Sequence, residues 1–118
     1  MALTARPATA DSAIQCTPIF LNTNVNGTAS YVAVGAATIA CSGIQGWNNT
    51  GTSLDFRRWD GTGAFAGTSP KITILNGQAF EFNGLLNAGQ LFVKRTDDSA
   101  TSVVLQAEAY QDSEASYA

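Results

Sequence analysis

Apolar and polar residues alternate in short runs along this chain, and clusters of Asn, Gly, Thr and Asp separate the runs. A period of two sends successive side chains to opposite faces of an extended segment, so such runs predict half-buried β-strands. Near the C-terminus Val103, Leu105, Ala107 and Ala109 share one face, opposite Val104, Gln106, Glu108 and Tyr110. Between residues 53 and 59, Leu54, Phe56 and Arg58 face one way and Asp55, Arg57 and Trp59 the other. Residues 71 to 75 and 79 to 82, with Phe80 and Phe82 flanking Glu81, surround an Asn76-Gly77 dipeptide. That dipeptide is a strong hairpin signal and predicts that the two strands pair directly. A second such pair is expected from residues 90 to 95 and 101 to 110 around Thr96-Asp97-Asp98-Ser99. Upstream, strands are expected over residues 16 to 21, 31 to 41 and 44 to 47, although 31 to 41 also suits a short helix. Asn22-Thr23-Asn24 and Asn26-Gly27 supply the first turn.

Seven or eight strands at roughly ten-residue spacing predict an all-β fold, a single antiparallel β-sandwich or jelly-roll-like barrel. Residues 1 to 15, with Pro7 and no periodicity, read as an extended N-terminal arm. Residues 16 to 110 form the sandwich, and 111 to 118 are a polar C-terminal tail. Residues 60 to 69 are rich in Gly and Thr with only Phe65 large and apolar, and predict a long exposed loop. Helical periods between the strands, which a parallel sheet would need, are missing.

The chain has 118 residues, enough for one core, and only 13% of them are charged. With six Lys or Arg and a net charge of -3, it lacks the basic footprint of a nucleic-acid binder. No apolar run has membrane-spanning length. Met1 to Pro7 carries no stretch of signal-peptide length, which predicts synthesis in the cytoplasm.

The absence of His removes the commonest general base and the usual zinc chemistry, and Cys16 and Cys41 form no Cys-x-x-Cys pair. The expectation is a non-enzyme with no cofactor and no metal. Whether the two thiols join depends on their strands lying side by side. A carboxylate pair for glycoside cleavage would have to come from Asp55, Asp60, Glu81 and Glu108. Asp97 and Asp98 suit a calcium ligand set less well than a turn. Asn26-Gly27-Thr28 and Asn48-Asn49-Thr50 match the glycosylation pattern, but that pattern is short and needs a secretory route.

The densest cluster of charge and aromatics is Asp55-Phe56-Arg57-Arg58-Trp59-Asp60. Arg and Trp are common interface anchors, so Arg57, Arg58 and Trp59, together with Phe65 and Trp47, are the candidate contact residues. A purely structural reading has Phe56 in the core and Asp55 pairing with Arg57 across strands. Trp47 and Trp59 would also suit a sugar-stacking platform.

The succession Asn48-Asn49-Thr50-Gly51 and a strand, then Ile74-Leu75-Asn76-Gly77-Gln78-Ala79-Phe80, then Gly89-Gln90-Leu91-Phe92-Val93 and a closing Ala- and Val-rich strand has a familiar layout. It resembles the small β-sandwich proteins of tailed-bacteriophage virions, namely capsid decoration or cement proteins and related neck and tail components. The resemblance implies a structural virion protein, localised to the virion, that bridges and stabilises major capsid subunits. Its implied partners are copies of itself, with a trimer favoured, and the major capsid protein or other virion subunits, with no nucleic acid or membrane. The arm and tail would become ordered by pairing with neighbouring subunits. A neck, tail or fibre component and a small carbohydrate-binding module are the alternatives.

Overall fold

The computed structural model describes residues 18 to 28, 31 to 59 and 69 to 111. It contains eight strands: β1 Ile19–Val25, β2 Val32–Ala33, β3 Gly43–Trp47, β4 Leu54–Arg58, β5 Ile72–Ile74, β6 Ala79–Asn83, β7 Leu91–Arg95 and β8 Val103–Tyr110. A 3-10 turn, Ala88–Gln90, precedes β7, with the Asn87 side chain accepting from the Gly89 N–H. The strands form two four-stranded antiparallel sheets, ordered β1-β8-β3-β6 and β2-β7-β4-β5.

The pairing is nested. Strand β1 lies beside β8, β2 beside β7, β3 beside β6 and β4 beside β5, as though one long hairpin had been rolled up. The β3–β8 and β4–β7 ladders then close each half into a sheet. This order is that of an eight-stranded jelly roll. Of the seven connections, only the one between β4 and β5 stays within a sheet; the others cross the sandwich.

Alternation of side chains decides which faces meet. Leu21 and Val25 of β1, Ile44 of β3, Phe80 and Phe82 of β6, and Leu105, Ala107 and Ala109 of β8 point inward from one sheet. Leu54 and Phe56 of β4 and Leu91 and Val93 of β7 answer from the other, and all of these residues are buried. At the centre the Phe56 ring lies 4.9 Å from that of Phe80 and 5.1 Å from that of Phe82, tilted by 39° and 36°. Tilted pairs at such separations contribute about 1 kcal/mol each beyond the area they bury.

Four expectations from the sequence need correction. Strands β5 and β6 do flank a turn at Asn76-Gly77, closed by the Gln78 N–H donating to the Leu75 carbonyl at 3.1 Å and the Leu75 N–H donating to Gln78 Oε1 at 2.8 Å. Strands β5 and β6 do not pair, because β5 belongs to one sheet and β6 to the other. Gly77, at φ 89°, turns the chain over the edge of the sandwich. The same holds for β7 and β8. In both cases the inward-facing apolar residues of the two strands face each other across the core, which pairing in one sheet would prevent.

Asn22, Thr23 and Asn24, expected as a turn, continue β1 alongside Gln106, Leu105 and Val104. Asn22 and Asn24 lie on the exposed side, and the inward Thr23 hydroxyl donates to the Val34 carbonyl at 2.6 Å. Residues 31 to 41 yield only the two-residue β2, followed by turns. Val34 and Cys41 are nonetheless buried, so the apolar character of this stretch reflects a loop tucked over the end of the core. The expected arm 1 to 15 and most of the expected tail lie outside the described residues, as does the body of the long loop.

The connections β1–β2, β3–β4, β5–β6 and β7–β8 meet at one end of the sandwich, and Asn48 ties β3–β4 to β5–β6. It is fully buried. Its Nδ2 donates to the Thr52 and Ile74 carbonyls at 2.8 and 2.9 Å, while its Oδ1 accepts from the Thr50 hydroxyl at 2.7 Å and the Thr50 N–H at 3.2 Å. Its backbone bonds Gln78 and Gly77. Every polar atom of this side chain is satisfied, which is the condition for burying an amide at little cost. The β7–β8 connection is fixed by Asp97, which accepts from Arg95 through both oxygens at 2.9 Å and from the Ser99 N–H at 3.2 Å.

Asn48→Ala strands two buried carbonyls and is expected to cost about 3 kcal/mol, with Asn49→Ala near neutral, measured by chemical denaturation. Asp97 titrates below the ordinary carboxylate range, chiefly because Arg95 donates to it and then because of the Ser99 N–H. A depressed folded-state pKa stabilises above the unfolded value near 3.9 and is lost as the pH falls through the folded value. The stability advantage of the native chain over Asp97→Asn should therefore be constant from neutral pH to about pH 4 and close below it.

Candidate functional site

The outward positions of the β1-β8-β3-β6 sheet follow from the same alternation. One row crosses all four strands: Phe20 opposite Glu108, Glu108 opposite Gln45, and Gln45 opposite Glu81. The next row holds Asn22 opposite Gln106, and Trp47 opposite Ala79. These residues line an open cleft of about 830 Å³ on the outer surface of the sheet.

Two aromatic rings stand at its margins. Phe20 is 74% exposed and Trp47 is 64% exposed. The Trp47 ring is anchored, since its Nε1–H donates to the Gly77 carbonyl at 2.8 Å. Between the rings Gln45 Nε2 donates to Glu108 Oε1 at 2.8 Å. Tyr110 crosses β3 to donate its hydroxyl to Glu81 Oε2 at 2.5 Å. The crossing depends on Gly43, where an added Cβ would stand 2.6 Å from Tyr110 Cζ and 2.8 Å from the Phe82 carbonyl oxygen.

The residues singled out in the sequence are divided by the fold. Trp47 ends β3 at the Asn48 end of the sandwich, whereas Arg57, Arg58 and Trp59 end β4 at the opposite end and in the other sheet. Phe65 lies outside the described residues. Arg57 spans to Tyr31, with Nε 3.1 Å from its hydroxyl and the guanidinium 5.4 Å from its ring centre, and donates to the Ser69 carbonyl at 3.0 Å. Arg58 donates to the Asn83 carbonyl at 2.7 Å and lies 5.8 Å from the Phe82 ring centre, closing that end of the core. Trp59 is half-buried and borders, with Arg58, Gly84, Leu85 and Gln90, a second cleft of about 310 Å³.

No family model, curated protein or solved structure matches the chain. The site is therefore read from its own geometry.

Asp55 and Arg57 do not form the cross-strand pair expected of them. Asp55 is buried and accepts from the Thr73 and Thr96 hydroxyls at 2.6 and 2.9 Å, with Lys71 Nζ 4.0 Å away. Both belong to β4 and look out from the same sheet two residues apart, so each finds partners on its neighbours instead. Among the carboxylates considered for glycoside cleavage, Glu81 and Glu108 share the outer cleft, Asp55 is on the other sheet, and Asp60 lies outside the described residues.

Asp97 is committed to Arg95, and among the described residues no three metal-ligating side chains gather. Cys41 is a buried free thiol whose pKa is raised by burial, with a smaller opposing effect from the Gly43 backbone. Its partner in the disulfide question, Cys16, lies outside the described residues.

Sequence reasoning missed Phe20, Gln45 and Gln106. One signal was present: in Ile19-Phe20-Leu21 three consecutive apolar residues cannot all face one core, so the middle or both outer ones must face out. Gln45 and Gln106 become cleft residues only once β3 and β8 are known to be neighbours.

Tyr110→Phe is expected to cost about 1 kcal/mol by removing the bond to Glu81, and Gly43→Ala more than that, because its Cβ displaces Tyr110 and also meets the Phe82 carbonyl oxygen. In the double variant the costs should not add, which a double-mutant cycle by denaturation would measure.

Proposed function

We propose that this chain is a non-enzymatic structural protein of a virus particle, a jelly-roll building block that decorates a capsid by bridging its major subunits. The single observation that carries the reading is the nested order of the eight strands, β1-β8-β3-β6 on β2-β7-β4-β5. That layout is used by viral capsid domains, and the support is an analogy of fold. The layout of motifs from residue 44 to 110, which resembles small virion proteins, points the same way.

The surface suits assembly. Among the described residues each sheet ends in two edge strands, β1 and β6 in one and β2 and β5 in the other. Ile72 and Leu75, at and beside the β5 edge, and Leu86 in the β6–β7 connection are 44%, 53% and 77% exposed. Unpaired edges with apolar neighbours favour association, and a closed symmetric assembly, with a trimer first in expectation, covers them. Bridging coat subunits adds buried interface that opposes internal pressure on a shell. A neck, tail or fibre component would use the same building block in another symmetry.

Native mass spectrometry of the purified chain, followed by cryo-electron microscopy of the particles it copurifies with, tests the reading. The expected result is a closed homo-oligomer that occupies symmetric positions on the particle surface. A stable monomer that is missing from purified particles would contradict it.

A further inference from the structure

We infer that the outer face of the β1-β8-β3-β6 sheet is a binding site for a neutral oligosaccharide. Phe20 and Trp47 supply its stacking surfaces, and Gln45, Gln106, Glu81 and Glu108 bind the hydroxyls. The cleft is of ligand-binding size, at about 830 Å³.

The rings are the first observation. A phenyl group at an outward strand position, followed on the same face by Asn22 and Asn24, exposes apolar area that costs about 25 cal/mol per Å² to keep in water. A pyranose ring offers C–H groups on its faces and hydroxyls at its rim. Aromatic faces, which carry partial negative charge, attract those C–H groups. The bond from Trp47 to Gly77 fixes one platform before any ligand arrives, so little freedom is lost on binding.

The groups between the rings are the second observation. Phe20 and Trp47 sit two strands apart in a sheet whose strands are spaced by about 4.8 Å, so a short chain of sugars reaches from one to the other. Below that span lie Glu108 and the amides of Gln45 and Gln106, and Glu81 stands beside it on β6. A carboxylate has room for about four donors, and Gln45 and Tyr110 supply one bond each to Glu108 and Glu81. The remaining capacity suits hydroxyl groups, while those two bonds hold the carboxylates in place.

Charge narrows the class. Among the described residues no Lys or Arg lines the cleft, and Glu81 and Glu108 repel uronates, sialylated glycans and phosphates. A protein partner fits less well. The core of a protein interface is depleted of charged residues, whereas here Glu108 and two amides lie between the rings. A second copy docked on a two-fold axis would bring these glutamates against its own.

The experiment uses the full chain and five neutral probes: cellohexaose, chitohexaose, maltohexaose, xylohexaose and mannohexaose, with oligogalacturonate as the anionic control. Binding is read by saturation-transfer NMR and by tryptophan fluorescence in a Trp59→Phe background, where Trp47 is the remaining indole. At least one neutral probe should bind and perturb Trp47 fluorescence, and oligogalacturonate should not bind. Phe20→Ala, and Trp47→Ala followed by NMR alone, should each weaken binding about tenfold or more with unchanged circular dichroism. Silence from all five probes at about 10 mM, weaker than any useful affinity, would overturn the inference. So would binding that survives both substitutions, or sedimentation showing an oligomer that Phe20→Ala and Trp47→Ala dissociate. Particle association of these variants is scored separately, so loss of sugar binding and failure of the structural role are told apart.

Discussion

The contact of Phe56 on one sheet with Phe80 and Phe82 on the other is the interaction on which the rest of the molecule depends. It joins β4 to β6, two strands that share no hydrogen-bond ladder, and so presses together sheets that backbone pairing alone leaves separate. Ile44, Leu54, Leu91, Val93 and Leu105, each with no exposed surface, extend the same dry layer toward both ends. Once that layer is fixed, alternation determines the outer faces as well. Phe20, Gln45, Glu81 and Glu108 are on one surface because Leu21, Ile44, Phe80 and Ala107 are beneath them.

The two ends of the sandwich do different work. At one end the buried Asn48 joins two crossing connections through six hydrogen bonds of its side chain and backbone, and it anchors the turn to which Trp47 is bonded. The burial of that side chain also agrees with setting aside its glycosylation pattern. At the other end Arg57 donates to the Ser69 carbonyl and Arg58 to the Asn83 carbonyl, with the Arg58 guanidinium over the Phe82 ring. The arginines that looked like contact anchors are engaged in holding the β4–β5 connection and the neighbouring sheet edge. The exposed aromatic surface is on the opposite sheet.

Much of the fold was legible as period-two burial. The faces of β4 and β8 stand as the alternation gives them, the strand count is eight, and the sandwich is antiparallel. Pairing was not legible, because six strand ladders join segments of which only β4 and β5 follow one another in the chain. Asn76-Gly77 marks a turn correctly, yet a turn specifies a reversal and not the sheet to which the next strand belongs. The candidate site was legible at Trp47 and, as carboxylates considered for another chemistry, at Glu81 and Glu108. Phe20, Gln45 and Gln106 are on separate strands, and nothing in their local sequence states that β8 lies between β1 and β3.

The nested pairing is the central claim, and cross-strand nuclear Overhauser effects in isotope-labelled protein test it most directly. The account requires backbone contacts between Thr23 and Leu105, between Gln45 and Glu81, and between Leu54 and Ile74. A continuous ladder between residues 71 to 75 and 79 to 82, formed as a local hairpin, would contradict it.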